Sequence, residues 1–558
     1  MPEVPVRPAR SAKPEGQWAV DGREPLNANE VFKADDDGLN VRARVESTYA
    51  IQGFASIPSD DLRGRLRWWG LYTQRKPGID GGRTASLEPE ELEDRHFMLR
   101  VRSDGGRLSL EQLRTIGSIS VEFARGTADV TDRQNIQLHW IRIEDVPEIW
   151  RRLEAVGLTT GEACGDTPRV ILGSPVAGVE VDEIVDGTWA IEEIHAKHIL
   201  DPAFSNLPRK FKTAISGSPR LDVAHEANDV AFVGVVHPEH GPGFDLWVGG
   251  GLSTNPRLAE RLGAWVPLEE VPAVWVGVIS IFRDYGYRRL RNKARLKFLL
   301  ADWGTTRFRE VLETEYLQRR LIDGPAPKPP IDGRNDHVGV HPQRDGRFYI
   351  GAAPVVGRLT GATLLALADL AQAAGSDRVN LTAHQKLVLL DVDPAAVEAT
   401  VSGLEALGLA IGDASNFRRG TMACTGVEFC KLAIVETKAR ATALVGELEQ
   451  RFPGYGKPLS IHVNGCPNSC ARIQVADIGL KGVRTVDEQG DDVEGFQVHL
   501  GGALGQAAGF GRTVRGLRIQ ASDLPDYVER LLHTYEANAE GDESFAQWAV
   551  RAEEGLLQ

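Results

Sequence analysis

The sequence predicts a mixed α/β (α+β) fold made of two pseudo-symmetric halves, and three features of the chain indicate it. A strand–helix–strand unit occurs at 96–140 and again at 344–390, about 250 residues later. An apolar strand that ends in a glycine-rich turn also occurs twice, at 244–253 and 495–504. The proline-rich stretch 325–330 lies between the copies and is typical of a stiff linker. Repeats of this kind set the architecture of a chain, so we expect two halves that face each other.

The composition is that of a globular protein of about three domains. The chain has 558 residues, of which 42% are hydrophobic and 25% are charged. No apolar run approaches the ~18–20 residues of a membrane span, and the N-terminus lacks the apolar core of a secretory signal, so we expect a cytoplasmic protein without membrane contact. Five cysteines are too few for a disulfide scaffold, and a net charge of −14 argues against nucleic-acid binding.

The first strand–helix–strand unit carries a row of polar side chains. Residues 96–102 read as a strand, 108–123 have helical spacing, and 130–140 read as a returning strand. Because side chains alternate along a strand, one face of the returning strand is polar and carries Arg133, Asn135, Gln137 and His139. Such a row is either a solvated face or a binding face, and Arg100 on the preceding strand modestly favours binding.

The second unit repeats this pattern. Residues 359–374 supply its helix and 379–390 its returning strand, in which Thr382-x-x-Gln385 aligns with Thr131-x-x-Gln134. Two copies predict pseudo-equivalent halves, although a coincidental likeness of two β–α–β units also fits these residues taken alone.

Three further segments have a recognisable character. Residues 1–30 are rich in proline and polar residues, which predicts an extended N-terminal arm. Residues 283–297 carry seven cations and one acid, so they form a solvated helix face, a support for an anionic cofactor or a docking site for an acidic partner. The tail 522–557 reads as helices with Trp548 as an anchor.

Four of the five cysteines lie in two short motifs of the C-terminal third. They are spaced C-x5-C and C-x3-C, at Cys424, Cys430, Cys466 and Cys470. Four thiolates directed at one centre can hold zinc or an iron–sulfur cluster. The first spacing is wider than structural zinc sites use, and Pro467 after a cysteine is typical of ferredoxin motifs, which favours a 4Fe–4S cluster. Zinc and unrelated thiols remain open at this point.

The two motifs read Cys424-Thr425-Gly426 to Cys430 and Asn464-Gly465-Cys466-Pro467-Asn468-Ser469-Cys470. They resemble the motifs of the siroheme-containing sulfite and nitrite reductases. The likeness extends from about residue 60 to the C-terminus and is greatest to the assimilatory sulfite reductases of actinobacterial type. It implies that each half pairs a ferredoxin-like half-domain with an α/β domain. The implied domains are an extended arm at 1–35, paired half-domains at 36–160 with 337–405, a siroheme and substrate domain at 161–336, and a cluster domain at 406–558.

The resemblance also implies the roles of individual residues. The four cysteines hold the 4Fe–4S cluster, and Cys470 bridges it to the siroheme iron. The implied substrate cage consists of the cations Arg100, Arg169, Lys210 and Lys212. Contacts on the siroheme side are implied for Arg133, Gln137, His139 and Asn468. Each cation taken alone is more typical of a solvated surface charge.

The chemistry of the substrate favours sulfite over nitrite. Sulfite is mostly a dianion near neutral pH, and a second cation suits a dianion better than a monoanion. Lys210-Phe211-Lys212 keeps two lysines where nitrite-specific relatives tend to read R-K-W-N. We therefore expect six-electron reduction of sulfite to sulfide, with reduction of nitrite to ammonia as the alternative.

The fifth cysteine and the electron donor complete the predictions. Some sulfite-reducing members carry a tyrosine–cysteine thioether, and Tyr72 and Cys164 are the matching pair. No P-loop and no G-x-G-x-x-G motif opens a helix after a strand, so a separate carrier, ferredoxin, is implied for a monomeric enzyme. A non-catalytic iron–sulfur electron carrier and a zinc-stabilised binding module are the alternatives from other classes.

Overall fold

The computed structural model describes residues 27–328, 335–412, 414–505 and 508–558 and has the expected mixed α/β fold with four sheets. Within these ranges no helix is long and apolar enough to span a bilayer. The α-helices are Ala28–Asp35, Val41–Arg44, Ala50–Gln52, Ser59–Arg63, Pro89–Leu92, Leu110–Phe123, Val146–Ala155, Thr188–His198, Val271–Tyr285, Leu296–Val311, Gly361–Ala373, Val397–Ala406, Asn416–Gly420, Lys438–Arg451, Leu524–Asn538 and Phe545–Arg551.

Two five-stranded sheets at the centre each borrow one strand from the other half. In sheet order, the first contains Leu71–Arg75, Glu93–Val101, Ile136–Ile141, Thr127–Val130 and Arg358–Thr360. The second contains Gly339–Pro342, Phe348–Ala352, Leu387–Val392, Arg378–Leu381 and Arg107–Ser109. This exchange of strands packs the two halves into one unit. Each half contributes one strand to the sheet of the other half.

The helices Leu110–Phe123 and Gly361–Ala373 pack against each other between these sheets. They meet at two glycines, because a Cβ on Gly117 would lie 3.0 Å from the carbonyl oxygen of Gly361, and one on Gly361 would lie 2.7 Å from that of Gly117. The symmetric close approach of two backbones leaves no room for larger residues.

Each half has one flanking sheet that begins with three parallel strands and continues antiparallel. The first flanking sheet contains Pro168–Gly173, Phe211–Ser216, Val230–His237, Gly241–Val248, Glu260–Val266 and Ile322–Asp323. The second contains Thr421–Ala423, Ile461–Asn464, Ile478–Val486, Asp492–Leu500 and Arg512–Gln520. The glycine-rich turns at 249–251 and 501–502 follow equivalent strands of these two sheets. The predicted tail helices pack on the second flanking sheet around the buried side chain of Trp548.

The prediction of one continuous strand at 130–140 is wrong. Thr127–Val130 and Ile136–Ile141 are two strands of a hairpin, and residues between them form the turn. Gln134 adopts φ 53°, a left-handed conformation that breaks the extended run. The same correction applies at 379–390, where Gln385 has φ 59°. The alternation therefore holds for Gln137 and His139 but not for Arg133, which lies in the turn.

Two other predictions need correction. Of the arm expected at 1–35, residues 1–26 lie outside the described residues, and Ala28–Asp35 is a helix, which Asn27 caps. Residues 283–297 are not a helix face, because the helix ends at Tyr285 and the next begins at Leu296. Most of their cations are held by acidic residues or carbonyls: Arg288 by Glu30, Arg291 by Asp166, Arg295 by Asp229 and Lys297 by Gly251, Leu252 and Asn255.

Candidate active site

The two cysteine motifs follow neighbouring parallel strands. Thr421–Ala423 leads directly into Cys424, and Ile461–Asn464 leads into Cys466, with Ala423 paired to Val463 in register. Parallel strands bring their carboxyl ends to the same edge of the sheet. The backbone N–H of Gly465 donates to the sulfur of Cys424 at 3.2 Å, which joins the two motifs.

Cys430 and Cys470 lie within electrostatic range of Cys424 and Cys466, although the described residues include no preassembled group of three metal ligands. Burial raises the pKa of Cys424, and Cys470 and Cys430 raise it further. The pKa of Cys466 is raised to about 12 by burial and by the same two cysteines. Cys430 and Cys470 thus disfavour ionisation of Cys424 and Cys466, as like charges do when they are close. Iron binding would relieve this cost by neutralising the thiolates.

Glycines in the motifs serve packing more than close approach to sulfide. Gly426 has φ 70°, and a Cβ there would lie 2.4 Å from Oγ1 of Thr437. A Cβ on Gly465 would lie 3.0 Å from that of Ala433. Both glycines let the loops fold tightly onto the segment that precedes the helix Lys438–Arg451.

Arg100 and Arg169 converge on the loop that carries Cys164. Arg100 donates from Nη1 to the sulfur of Cys164 at 3.1 Å and to the carbonyl of Ala163 at 3.4 Å. Arg169 donates to the carbonyl of Gly165 at 2.9 and 3.1 Å and to that of Ala163 at 3.3 Å. Among described residues neither guanidinium has a carboxylate within ion-pair distance. Burial lowers the pKa of Arg100, but Cys164, Tyr72 and Cys470 raise it more.

Lys210 and Lys212 are half-buried, and their ammonium groups make no hydrogen bond or ion pair with the part of the chain that the structure describes. Burial lowers the pKa of Lys210 well below its ordinary value, and Lys212 and Arg169 lower it further. The pKa of Lys212 is lowered to about 7 by burial, with Arg133 as the next cause. Without a counter-ion the charged forms of both lysines are destabilised, and a bound anion would be the partner that restores their charge.

Arg133 and Gln137 are anchored near this cage. Arg133 donates to Oδ1 of Asn228 at 2.9 Å and to the carbonyl of Val170 at 2.6 Å, while its Nε is buried without a partner. With its amide oxygen turned to accept, Gln137 lies 3.2 Å from Nε of Arg100. Gln137 therefore orients a predicted cage residue, and a direct siroheme contact for either residue stays a prediction.

His139 and Asn468 lie on the cluster side. His139 is buried and stacks on Phe429, the residue before Cys430, with ring centroids 3.8 Å apart. Burial lowers the pKa of His139 to about 3, so the ring is neutral. Asn468 hydrogen-bonds the sulfur of Cys466 and so helps to hold a cluster ligand. Siroheme contacts of these two residues stay predictions.

Tyr72 and Cys164 lie close together beside Arg100. Burial raises the pKa of Tyr72, with Cys164 as the next cause, while Arg169 and Arg100 lower it. Cys164 is fully buried. Tyr72 therefore lies within electrostatic range of Cys164 and of two predicted cage arginines, and a bond between Tyr72 and Cys164 stays a prediction.

Sequence reasoning missed Arg472 and Asp132. Arg472 is buried, donates to the carbonyl of Ala383 at 2.6 Å and leaves Nε without a hydrogen bond, 4.0 Å from a carboxylate oxygen of Asp132. Asp132 raises the pKa of Lys212 and of Arg133, as Asp229 also does, so it is an acidic neighbour of the predicted cation cage. The signal was the position of Arg472 two residues after Cys470 and of Asp132 next to Arg133.

These residues fit siroheme together with an iron–sulfur cluster. Cys470 is exposed, while the other three cysteines are buried or half-buried. Siroheme bears eight carboxylates, and the cavity offers unpaired lysines and buried guanidinium nitrogens that lack partners. Arginine and lysine are the residues that bind carboxylates and oxyanions most strongly.

A two-half α/β fold with paired cysteine motifs after neighbouring parallel strands and a group of buried cations defines a class of redox protein that joins an iron–sulfur cluster to an anion site. The chain belongs to the nitrite and sulphite reductase family. The model of the nitrite and sulphite reductase 4Fe–4S domain matches residues 164–321 and 414–552, and that of the ferredoxin-like half domain matches 90–156 and 341–407. Membership confirms the predicted family, the paired halves, the 4Fe–4S cluster and siroheme.

Relatives match over nearly the whole chain. "Sulfite reductase (ferredoxin) 2" of Mycolicibacterium paratuberculosis is 60% identical and covers 99% of this chain and 100% of its own. "Sulfite reductase (ferredoxin)" of Mycobacterium tuberculosis is 59% identical, with coverage of 99% and 100%. The "Assimilatory ferredoxin-dependent nitrite reductase" of Haloferax mediterranei is 36% identical, with coverage of 94% and 91%. The solved structure of the Mycobacterium tuberculosis NirA protein is similar with a TM-score of 0.95, 59% identity and coverage of 98% and 100%.

Proposed function

We propose that the chain is a ferredoxin-dependent assimilatory sulfite reductase, which reduces sulfite to sulfide with six electrons. The observation that carries this proposal is the pair of unpartnered ammonium groups of Lys210 and Lys212 beside Arg169. Relatives of 59–60% identity bear this name, whereas those named as nitrite reductases are about 36% identical. Two lysines also suit a dianion better than nitrite.

Each residue of the cage has a separate task. Siroheme and a 4Fe–4S cluster, which Cys424, Cys430, Cys466 and Cys470 would hold, would supply single electrons to the bound oxyanion. Arg100 and Arg169 are held by backbone carbonyls, so their charge is fixed in place before the anion arrives. Preorganised charge of this kind stabilises the negative charge that develops on the oxygens that leave.

Lys212 is the residue best suited to deliver protons. Its pKa of about 7 lies near neutral pH, where a general acid is most effective. Nζ would hold a proton, pass it to a substrate oxygen and regain it from solvent through the polar cavity. Lys210, whose pKa is also lowered by burial, binds the anion or shares this proton.

An absorption spectrum and a turnover assay test the proposal. We expect the purified protein to show the Soret and red bands of siroheme and to reduce sulfite faster than nitrite with reduced ferredoxin. Faster nitrite turnover would make it a nitrite reductase. Colour from a cluster without a macrocycle would make it an electron carrier.

The partner, assembly and crosslink belong to the same proposal. Ferredoxin delivers the electrons, and the enzyme works as a monomer in the cytoplasm. A thioether joins Tyr72 to Cys164, and the influence of Cys164 on the pKa of Tyr72 supports their proximity. The crosslink would hold the loop that presents carbonyls to Arg100 and Arg169.

A further inference from the structure

The first half contains a counterpart of the cluster site. Gln134 binds the backbone of Gly173 through both amide atoms, and Gln385 binds that of Ala423 in the same way, so these two strand ends correspond. Their neighbours in register, Ile215 and Val463, correspond as well. Counted from these anchors, Cys424, Cys430, Cys466 and Cys470 correspond to Ser174, Glu180, Ser218 and Asp222.

These four residues form two hydrogen-bonded pairs. Ser174 donates to Oδ2 of Asp222 at 2.7 Å, and Ser218 hydrogen-bonds Glu180. All four side chains are buried. Oxygen groups that bind each other thus take the places of four sulfurs that bind iron.

The cation cage has a counterpart in the second half that has lost most of its charge. By the same correspondence, Arg100, Arg133, Arg169 and Lys212 match Gly351, His384, Arg419 and Ser460. Lys212 and Ser460 support this match, since each donates its backbone N–H at 2.8 Å to an aspartate at the start of the next strand. A Cβ on Gly351 would lie 1.8 Å from the carbonyl oxygen of His337. The segment that follows the linker 325–330 therefore packs against the counterpart of the cation cage in the second half.

Two side chains of that segment, Asp336 and His337, which we call the plug, neutralise its remaining charges. Asp336 binds Arg419 with both carboxylate oxygens, at 2.7 and 2.8 Å. His337 binds Asp222, the counterpart of Cys470, at 2.8 Å. His337 has φ 58°, a conformation unusual outside glycine that requires support from its surroundings.

We propose that the plug positions the active site by joining the strand that bears the cage lysines to the strand that bears the cluster. Asp222 follows the strand Phe211–Ser216, which carries Lys212, and Arg419 precedes the strand Thr421–Ala423, which ends at Cys424. The plug therefore contacts a residue next to each of these two strands. Asp336 and His337 are thus positioning residues for sulfite reduction, and this role depends on the proposed function.

Two plug variants and one control test this role in the holoenzyme. Asp336→Asn keeps the shape of the side chain and loses its charge, and His337→Phe keeps a ring and loses the bond to Asp222. The control is Asp245→Asn, because Asp245 is also fully buried and paired to an arginine, at 2.5 and 2.9 Å, but lies outside both sites. All three variants should lower Tm.

The plug variants alone should raise the KM for sulfite by about 10-fold to 100-fold, since small displacements of a positioned group cost that much. Cyanide is a general ligand of haem iron. It should bind the plug variants with a different affinity and a different Soret shift from those of the wild type, while the cofactor content of the variants is unchanged. Asp336→Glu should restore part of the KM. Equal losses of Tm in all three variants, with KM and cyanide affinity as in the wild type, would overturn the role. A wild type that reduces only nitrite would defeat the proposed function, while cyanide affinity would still decide the role of the plug.

Discussion

Gln134 and Gln385 make the same two hydrogen bonds in the two halves of the molecule. Gln134 donates to the carbonyl of Gly173 at 2.8 Å and accepts from its N–H at 2.9 Å. Gln385 does the same with Ala423, at 2.9 and 3.1 Å. Each glutamine joins a hairpin of the central sheets to the first strand of a flanking sheet. In the second half this strand ends directly before Cys424, so the same bond supports a structural turn in one half and a cluster ligand in the other.

Truncation of the two glutamines should therefore separate stability from cluster retention. Gln385→Ala and Gln134→Ala each leave buried backbone groups unpaired, which we expect to cost about 1–3 kcal/mol of unfolding free energy. Only Gln385→Ala should hasten the loss of cluster absorbance in the presence of an iron chelator. Chemical denaturation and bleaching kinetics on the same preparations measure both effects. Equal bleaching rates would show that Gln385 does not support Cys424.

The pH dependence of turnover should report Lys212. Its pKa is lowered by burial to about 7, and its protonated form is the one that donates. The maximal rate with sulfite should thus fall as pH rises through about 7. Lys212→Arg keeps the positive charge but cannot release a proton, so it should lower kcat more than it raises KM and remove this limb of the profile. An unchanged profile in Lys212→Arg would assign the proton donor elsewhere.

The sequence was sufficient for the paired halves, because the strand–helix–strand unit recurs, and for the kind of cofactor, because the two cysteine motifs have a characteristic spacing; the four cysteines as ligands stay a prediction. It was insufficient for the hairpins at 130–140 and 379–390. In each, one glutamine has a left-handed backbone conformation within a run of alternating apolar residues, and the amino-acid composition does not reveal this. It also failed at 283–297, where buried acids on distant segments bind most of the cations. Arg472 was missed for the same reason, because only the fold shows that its Nε lacks a partner and lies near Asp132.

A thioether between Tyr72 and Cys164 should be visible in the intact mass of the denatured protein. Its formation removes two hydrogens, so the wild type should be about 2 Da lighter than its sequence requires, and both Cys164→Ala and Tyr72→Phe should have their full calculated masses. Proteolysis should yield one joined peptide from the wild type. The full calculated mass in the wild type would exclude the crosslink.

Ferredoxin docking at residues 283–297 can now be tested with two residues. Arg289 and Lys293 are the exposed cations of this segment, whereas Arg288, Arg295 and Lys297 are buried. Reversal of both charges to glutamate should weaken ferredoxin binding at low salt, with the difference reduced at high salt by screening. Reversal of Arg142 and Arg151, two exposed arginines of another surface, is the matched control. Equal affinities for all three proteins would place the docking site elsewhere.

Stability should fall between acidic and slightly alkaline pH because of Glu162. This side chain is fully buried, accepts a hydrogen bond from the N–H of Leu200 at 2.7 Å and leaves its other oxygen without a partner. Burial raises its pKa from 4.5 to about 8. In the unfolded chain the group ionises near its ordinary pKa, whereas the folded protein keeps the proton, so the unfolded state binds fewer protons over this interval and unfolding becomes easier as pH rises.

Glu162→Gln should remove this dependence, because its amide oxygen can still accept from Leu200 and it never ionises. At pH 8 the variant should be more stable than the wild type by about 2–4 kcal/mol, as the shift in pKa implies. At pH 4.5 the two proteins should be nearly equal. Denaturant unfolding of both proteins across this pH range measures the difference. A constant gap between them would mean that the proton on Glu162 does not set the pH dependence of stability.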